Sequence, residues 1–136
     1  VQADLFDWLD EQPDGSVRGL FVLHVIEHLP SDLQVRLVFE ARRVLVDDGL
    51  LVVETPNALS LATAATNFWV DPTHIRPVHP MLLEFLAQEA GLRQVRLLPL
   101  HPVPLAFRGG DVVPELVEDL DQLIFGAGDI ALTARR

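Results

Sequence analysis

The chain has 136 residues, 49% of them hydrophobic and 22% charged, which is enough apolar material for one buried core and too much for a disordered segment. Its formal net charge of -10 disfavours phosphate backbones and anionic lipid surfaces, and no apolar run approaches the roughly 20 residues that cross a bilayer, so nucleic acid and membrane are set aside as partners. The absence of Cys excludes a disulfide framework and a thiolate metal site, and with no signal-peptide pattern a cytoplasmic location is the default expectation. Residues 1–136 read as a single domain, and the opening VQADLFDWL, without an initiator Met, reads as the interior of a larger protein.

In chain order, Pro13, Asp14 and Gly15 form a turn, and Arg18 to Ile26 is a continuous apolar run that suits a strand buried on both faces of a sheet. Ser31 opens SDLQ, a capping-box pattern in which the Ser hydroxyl and the Gln34 side chain satisfy free backbone donors at a helix start. Leu33, Leu37, Val38, Ala41, Val44 and Leu45 give that helix its apolar face, and Asp47, Asp48 and Gly49 end it. Leu50 to Glu54 is a second strand, closed by Thr55, Pro56 and Asn57. From Ala58 to Val78 the chain reads as a loop with a short helix over Ser60 to Thr66. Pro80 suits a helix's first turn, with Leu82, Phe85, Leu86 and Ala90 as its stripe and Gly91 as its stop. Val95 to Leu98 is a third strand. After a Pro-rich loop, Val113, Leu116, Val117, Leu120 and Ile124 mark another amphipathic segment, with Glu115, Glu118, Asp119 and Asp121 as its solvated face. Asp129 to Ala134 is the fourth strand. This alternation predicts an α/β layered fold with a mostly parallel sheet, in which the last strands could pair antiparallel.

In open α/β sheets ligands gather at the carboxyl ends of strands, which places His24, Glu27 and His28, together with Thr55, Pro56 and Asn57, on a pocket rim. The irregular segment from Asn67 to His79 is near enough in sequence to cover it. A small-molecule enzyme is the natural reading.

The succession of Asp4 in ADLFDWL, then FVLHVIEHLP, then RRVLVDDGLLVVETPN, then FWVDPTHIRPVHPMLLEFLAQEAGL resembles class I S-adenosylmethionine-dependent methyltransferases. The likeness is greatest to branches that modify small molecules and sugars, and the ending GAGDIALTARR is similar to the family's last strand. The resemblance covers essentially the whole chain. It implies a partial Rossmann-like methyltransferase fold, S-adenosylmethionine as methyl donor and a small-molecule acceptor, such as a sugar or a polyketide or lipid-linked intermediate. It also implies cofactor contacts at Asp4, with Leu5 beside it, near the adenine amino group, and at His24 with Val25 near the methionine moiety. The family's glycine-rich turn and the acidic residue that binds the ribose hydroxyls are absent from these residues.

For a hydroxyl acceptor the protein must align donor and acceptor and remove a proton. His74, His28 and His79 are the candidate bases, because imidazole titrates near neutral pH, and His74 is preferred because the DPTH segment lies where the family places substrate-covering residues. Asn57, Trp69 and Arg76 are the candidate substrate-binding residues, Arg76 for an anionic group. Each has a structural alternative: Asp4 as a helix cap, His24 as a satisfied strand-end residue, Glu27 and His28 as loop closers, His74 and His79 as parts of a rigid turn around Pro77, Phe68 and Trp69 as packing.

His24-Val-Ile-Glu27-His28 also matches H-x-x-E-H, the inverted zinc-peptidase motif. Two His residues four apart meet at one metal only on a helical face, and the apolar run before His24 with Pro30 just after His28 opposes a helix, so no metal ligand is assigned. A further alternative is a noncatalytic fragment or interaction module. If the family's earlier strands are missing, the run from Arg18 to Ile26 presents a bare apolar edge, through which two chains are expected to associate as a homodimer.

Overall fold

The computed structural model describes residues 2–102 and 114–136. Asp4 caps the first helix, α1 (Leu5–Glu11), its Oδ1 accepting from the amides of Phe6 at 2.9 Å and Asp7 at 3.2 Å. A turn leads into β1 (Val17–Leu23). After a short 3-10 turn over Ile26–His28 comes α2 (Ser31–Val44), which buries Leu37, Val38, Ala41 and Val44. The chain passes directly into β2 (Leu45–Pro56), then through α3 (Leu61–Ala65) and a 3-10 turn, Asn67–Val70, to α4 (Pro80–Glu89). The strands β3 (Arg93–Pro102) and β4 (Ala127–Arg135) complete the fold, with α5 (Pro114–Ile124) preceding β4.

The four strands lie in the order β1-β2-β4-β3. β1 and β2 pair parallel, and β4 pairs antiparallel with both β2 and β3, so β1, β2 and β3 run one way and the last strand runs the other. One face of the sheet, carrying Val22, Leu51, Val53, Leu132 and Ala134, packs with Leu9 of α1, the stripe of α2, and Leu83, Leu86 and Ala87 of α4. Each such Leu or Val removed from water contributes on the order of 1.5–3 kcal/mol. The opposite face stays open: Phe21 is 62% exposed, Leu23 50% and Leu98 43%. Among the described residues no helix is long and apolar enough to cross a membrane.

Several sequence expectations need correction. The Arg18–Ile26 run is not buried on both faces, since β1 is an edge strand that ends at Leu23. SDLQ is not a capping box: Pro30 occupies the cap position, and Gln34 Nε2 turns back to donate to the carbonyls of Ile26 at 2.9 Å and Leu29 at 3.0 Å. Asp47, Asp48 and Gly49 belong to β2 as a bulge, because the register steps from Val17↔Leu45 to Gly19↔Leu50. Gly49 is required there, since a Cβ would stand 2.8 Å from the Val46 carbonyl. In α4, Phe85 is exposed, and Leu83 and Ala87 take its place beside Leu86. Gly91 does stop that helix, at φ +81. The Pro-rich loop and Val113 lie outside the described residues.

Arg43 joins α2 to the start of the sheet. Its guanidinium donates to Glu40, to Asp14, and to the carbonyls of Leu9 and Gln12, all at 2.8 Å. The Glu40 and Asp14 carboxylates raise its pKa further above the ordinary guanidinium value. Arg43→Met is expected to lower stability by about 2 kcal/mol, by leaving two carbonyls unpaired, and Arg43→Lys should recover less than half of that because an ammonium lacks the planar fork. Urea unfolding of both variants checks this, and equal stability of Arg43→Lys and the parent would contradict it.

Candidate functional site

The carboxyl end of β1 is followed by a sharp change of direction. His24 sits at φ +51, a left-handed conformation that a residue with a Cβ holds only when its surroundings impose it. The amide of His24 donates to the Glu54 carbonyl at 3.0 Å, keeping it in register with β2. The 3-10 turn then swings Glu27 inward, where it is fully buried. Its Oε2 accepts from the Thr55 hydroxyl of β2 at 3.0 Å. Among the described residues its Oε1 has no hydrogen-bond donor; the nearest ring nitrogens are His24 Nδ1 at 3.3 Å and His74 Nε2 at 4.0 Å. An unsatisfied buried carboxylate oxygen costs roughly 1–3 kcal/mol or more, so this atom is set for a partner.

The DPTHIRP segment is fastened over this carboxylate. The Ile75 amide donates to the Glu27 carbonyl at 3.0 Å, and Arg76 donates to Gln34 Oε1 at 3.0 Å. His74 Nδ1 lies 2.6 Å from the Phe68 carbonyl, which can only accept, so that nitrogen carries the proton and Nε2 keeps its lone pair in the neutral ring. The Thr73 hydroxyl donates to Asp71 at 2.6 Å and stands 2.9 Å from His28 Nδ1, which therefore also carries a proton, so that in the neutral ring the lone pair is on Nε2. Hydrogen bonds from the Thr73 side chain and amide hold the Asp71 carboxyl below its usual pKa. The His28 and His74 rings are 4.6 Å apart, and Phe68 packs on His74 at 4.3 Å. A cavity of about 240 Å³ opens here, with Pro56, Thr63, Asn67, Phe68, His74 and Asp129 among its walls.

Among the described residues, two groups of side chains bring one donor atom each to within 4.8 Å of one another: Glu27, His28 and His74, and on the open face of the sheet His24, Glu54 and Asp129. In the second, His24 Nε2 lies 3.4 Å from Glu54, and His101 adds itself with Nδ1 2.7 Å from Asp129 Oδ2. H-x-x-E-H is not helical: His24 ends a strand while Glu27 and His28 lie in the 3-10 turn.

The expected residues are distributed unevenly. His28 and His74 come together, whereas His79 accepts the Met81 amide at 3.2 Å as the cap of α4. Asp4 caps α1, Leu5 packs beside the core and Val25 is half-buried. Asn57 is nearly buried and uses its amide to donate to the Ala127 carbonyl and to accept from Leu59. The exposed Trp69 donates to the Ala64 carbonyl and meets Phe68 edge-on. Sequence reading placed Thr55 on the rim without its partner Glu27, gave Gln34 the wrong role, and missed Asp71, Thr73 and Asp129, whose contacts with each other, with His28 and with His101 depend on how the chain folds.

No family model matches the chain. It is 34% identical over 106 residues to a protein of Mycobacterium tuberculosis named "Probable S-adenosylmethionine-dependent methyltransferase", a match covering 74% of this chain and 38% of that one. A crystal structure of a SAM-dependent methyltransferase from Archaeoglobus fulgidus superposes on 100% of this chain and 66% of its own, with a TM-score of 0.87 and 28% identity. Sequence and structure thus match the chain to S-adenosylmethionine-dependent methyltransferases. A second solved structure, of a methyltransferase from Mesorhizobium loti, covers 94% of the chain at a TM-score of 0.61 and 16% identity, which bears on the fold alone. That fold is a partial Rossmann-like one, and the chain spans 38% of the length of the curated relatives it matches.

The family's methyl donor is S-adenosylmethionine. The residues here fit part of its site: Leu23 and His24 are half exposed at the end of β1, leaving that strand end open to a ligand, and the Asp4 cap uses only Oδ1. No glycine-rich turn is present among the 136 residues to receive the methionine end.

Gln34 holds the site in place by three hydrogen bonds while buried. Gln34→Leu should cost about 2–4 kcal/mol, because it strands the carbonyls of Ile26 and Leu29 and frees Arg76. Chemical denaturation measures it; a change under about 0.5 kcal/mol, the level of an ordinary surface substitution, would show that the turn is held otherwise.

Proposed function

We propose that the chain forms the later part of a methyltransferase that moves a methyl group from S-adenosylmethionine to a hydroxyl of a small molecule. The observation that carries this reading is the cavity at the sheet's carboxyl end, walled by His74, whose Nε2 lone pair is left available by the Phe68 carbonyl. When bound, S-adenosylmethionine supplies a sulfonium methyl group for in-line displacement, which leaves the protein the tasks of alignment and proton removal. His74 takes the acceptor's proton. His28, whose ring lies 4.6 Å from it, and His79 are the other candidate imidazoles. Asp4 and Leu5 serve the adenine end, and His24 and Val25 the methionine end. Asn57 and the exposed indole of Trp69 contact the acceptor, and the donors of Arg76 that Gln34 does not use bind an anionic group on it.

The lack of a glycine-rich turn favours a second reading, a noncatalytic module that keeps the fold without the cofactor. Calorimetric titration of the chain with S-adenosylmethionine and S-adenosylhomocysteine separates the two. Saturable binding at micromolar concentration is expected, weakened about tenfold or more in Asp4→Ala, where about 1.4 kcal/mol of contact is lost. No measurable heat with either ligand would favour the module.

The open edge of β1, with Phe21 and Leu23 exposed beside it, also supports pairing of two chains in solution. Light scattering is expected to give the mass of a dimer, and Phe21→Lys should restore a monomer. A monomer at high concentration in the parent chain would refute the pairing.

A further inference from the structure

We propose that Glu27, His28 and His74 form a binding site for a divalent transition-metal ion, such as Zn2+, facing the cavity in which the acceptor would sit. Four observations converge on it. The three residues bring one carboxylate oxygen and two ring nitrogens to within 4.8 Å of one another, a spacing that an ion with bonds of about 2.0–2.2 Å can bridge with small side-chain adjustments. Glu27 is fully buried, and its Oε1 has no hydrogen-bond donor, while Oε2 is already held by Thr55. Both imidazoles have their Nδ1 protons engaged, His74 by the Phe68 carbonyl and His28 by the Thr73 hydroxyl that Asp71 in turn orients. That is the outer arrangement by which metal-ligating histidines are fixed in ring orientation and tautomer, with Nε2 left to bind. Finally, His74 lies on the wall of a cavity large enough for water or an acceptor oxygen to complete the coordination.

Two nitrogens and one carboxylate oxygen suit a first-row divalent ion better than Mg2+ or Ca2+, which take oxygen ligands almost exclusively. Three protein ligands leave coordination positions open, the pattern of a reactive rather than a structural site. The second group, His24, Glu54 and Asp129, is the weaker candidate. His24 is half exposed there, and Asp129 is already paired with His101 at 2.7 Å.

The assignment deepens the proposed methyl transfer and rests on that reading for its chemistry alone. An ion at this point binds the acceptor hydroxyl and favours its ionised form, the O–H proton passing to solvent water. His74 then serves as a ligand, and the ion does what a base would otherwise do. Binding of the ion needs neither the methyl donor nor the acceptor, so the two readings fail separately.

The test is metal uptake by the full chain, freed of metal with a chelator. Equilibrium dialysis against Zn2+ with elemental analysis should find one ion per chain, and titration with Co2+ should give visible absorption bands of nitrogen and oxygen ligation. Glu27→Gln, close in shape to the parent, and His28→Ala, at a half-buried position, should each weaken binding by about a hundredfold or more. Asp129→Asn should leave it unchanged. Circular dichroism confirms that the variants fold, and if one does not, the other decides. No stoichiometric ion in the parent chain overturns the assignment. So does an ion that survives in folded Glu27→Gln or His28→Ala, or one lost in Asp129→Asn, which would place it at the sheet's open face. If the ion binds as expected but the chain takes up neither S-adenosylmethionine nor S-adenosylhomocysteine, the metal site stands and the methyltransferase reading falls.

Discussion

Glu27 reaches from the turn after β1 to accept the Thr55 hydroxyl of β2 while fully shielded from water, and the rest of the site is arranged around that one contact. Its side chain ties the ends of two neighbouring strands. Its backbone carbonyl receives the Ile75 amide, which brings His74 over the same point. A buried carboxylate is expensive unless its oxygens are occupied, and one of these two is not. Gln34 completes the frame from α2, holding the turn through two carbonyls and the covering segment through Arg76. Three segments far apart in the chain, around residues 27, 55 and 74, are thereby held to one geometry by hydrogen bonds that burial makes difficult to replace with water.

Much of the architecture could be read from the chain because it depends on local patterns. The helical spacing of Leu37, Val38, Ala41 and Val44 places α2, Pro80 and Gly91 bracket α4 and its following residue, and the apolar runs give β1 and β4 to within a few residues. What escaped were features set by partners distant in sequence. Whether β1 is covered on both faces depends on which layers lie over it, and no periodicity reports that. The role of Gln34 depends on the carbonyls of the turn before it, which a capping box and a tertiary clamp share as a sequence pattern. The sequence singled out Glu27, His28 and His74 as polar residues near strand ends and in the covering loop. That they converge required the φ of +51 at His24 and the 3-10 turn, neither of which has a residue signature as clear as Gly or Pro.

The two faces of the sheet divide the work of the molecule. On one, α1, α2 and α4 exclude water and supply the burial that holds the strands in register. On the other, Phe21, Leu23 and Leu98 remain exposed, and towards the strand ends the surface becomes ionic with His24, Glu54, Asp129 and His101. The ionic group belongs at that end because the carboxyl termini of β1 and β2 and the start of β4 meet there, so side chains from several strands approach one another without being neighbours in the chain. Glu27 lies at the same end yet points to the buried side. The strand ends thus carry two polar clusters, one built on the buried Glu27 carboxylate and one on the exposed side of the sheet, and burial decides which of them has few alternatives to a specific ligand.

The motif H-x-x-E-H illustrates why spacing alone does not identify a site. On an α-helix, residues four apart share a face, and His24 and His28 would converge on one ion. Here a strand gives way to a 3-10 turn between them, and the left-handed backbone at His24 leaves its ring between Glu27 at 3.3 Å and Glu54 at 3.4 Å while His28 turns to His74. The pair that meets is therefore His28 and His74, 46 positions apart in the numbering, with a Glu27 carboxylate oxygen near both and His74 on the cavity wall. Their Nδ1 atoms are engaged by Thr73 and Phe68, and not by each other, which leaves Nε2 of each ring outside those two hydrogen bonds. Two imidazoles that merely packed in a core would have no need of such separate orientation, and the proposed binding arrangement rests on it.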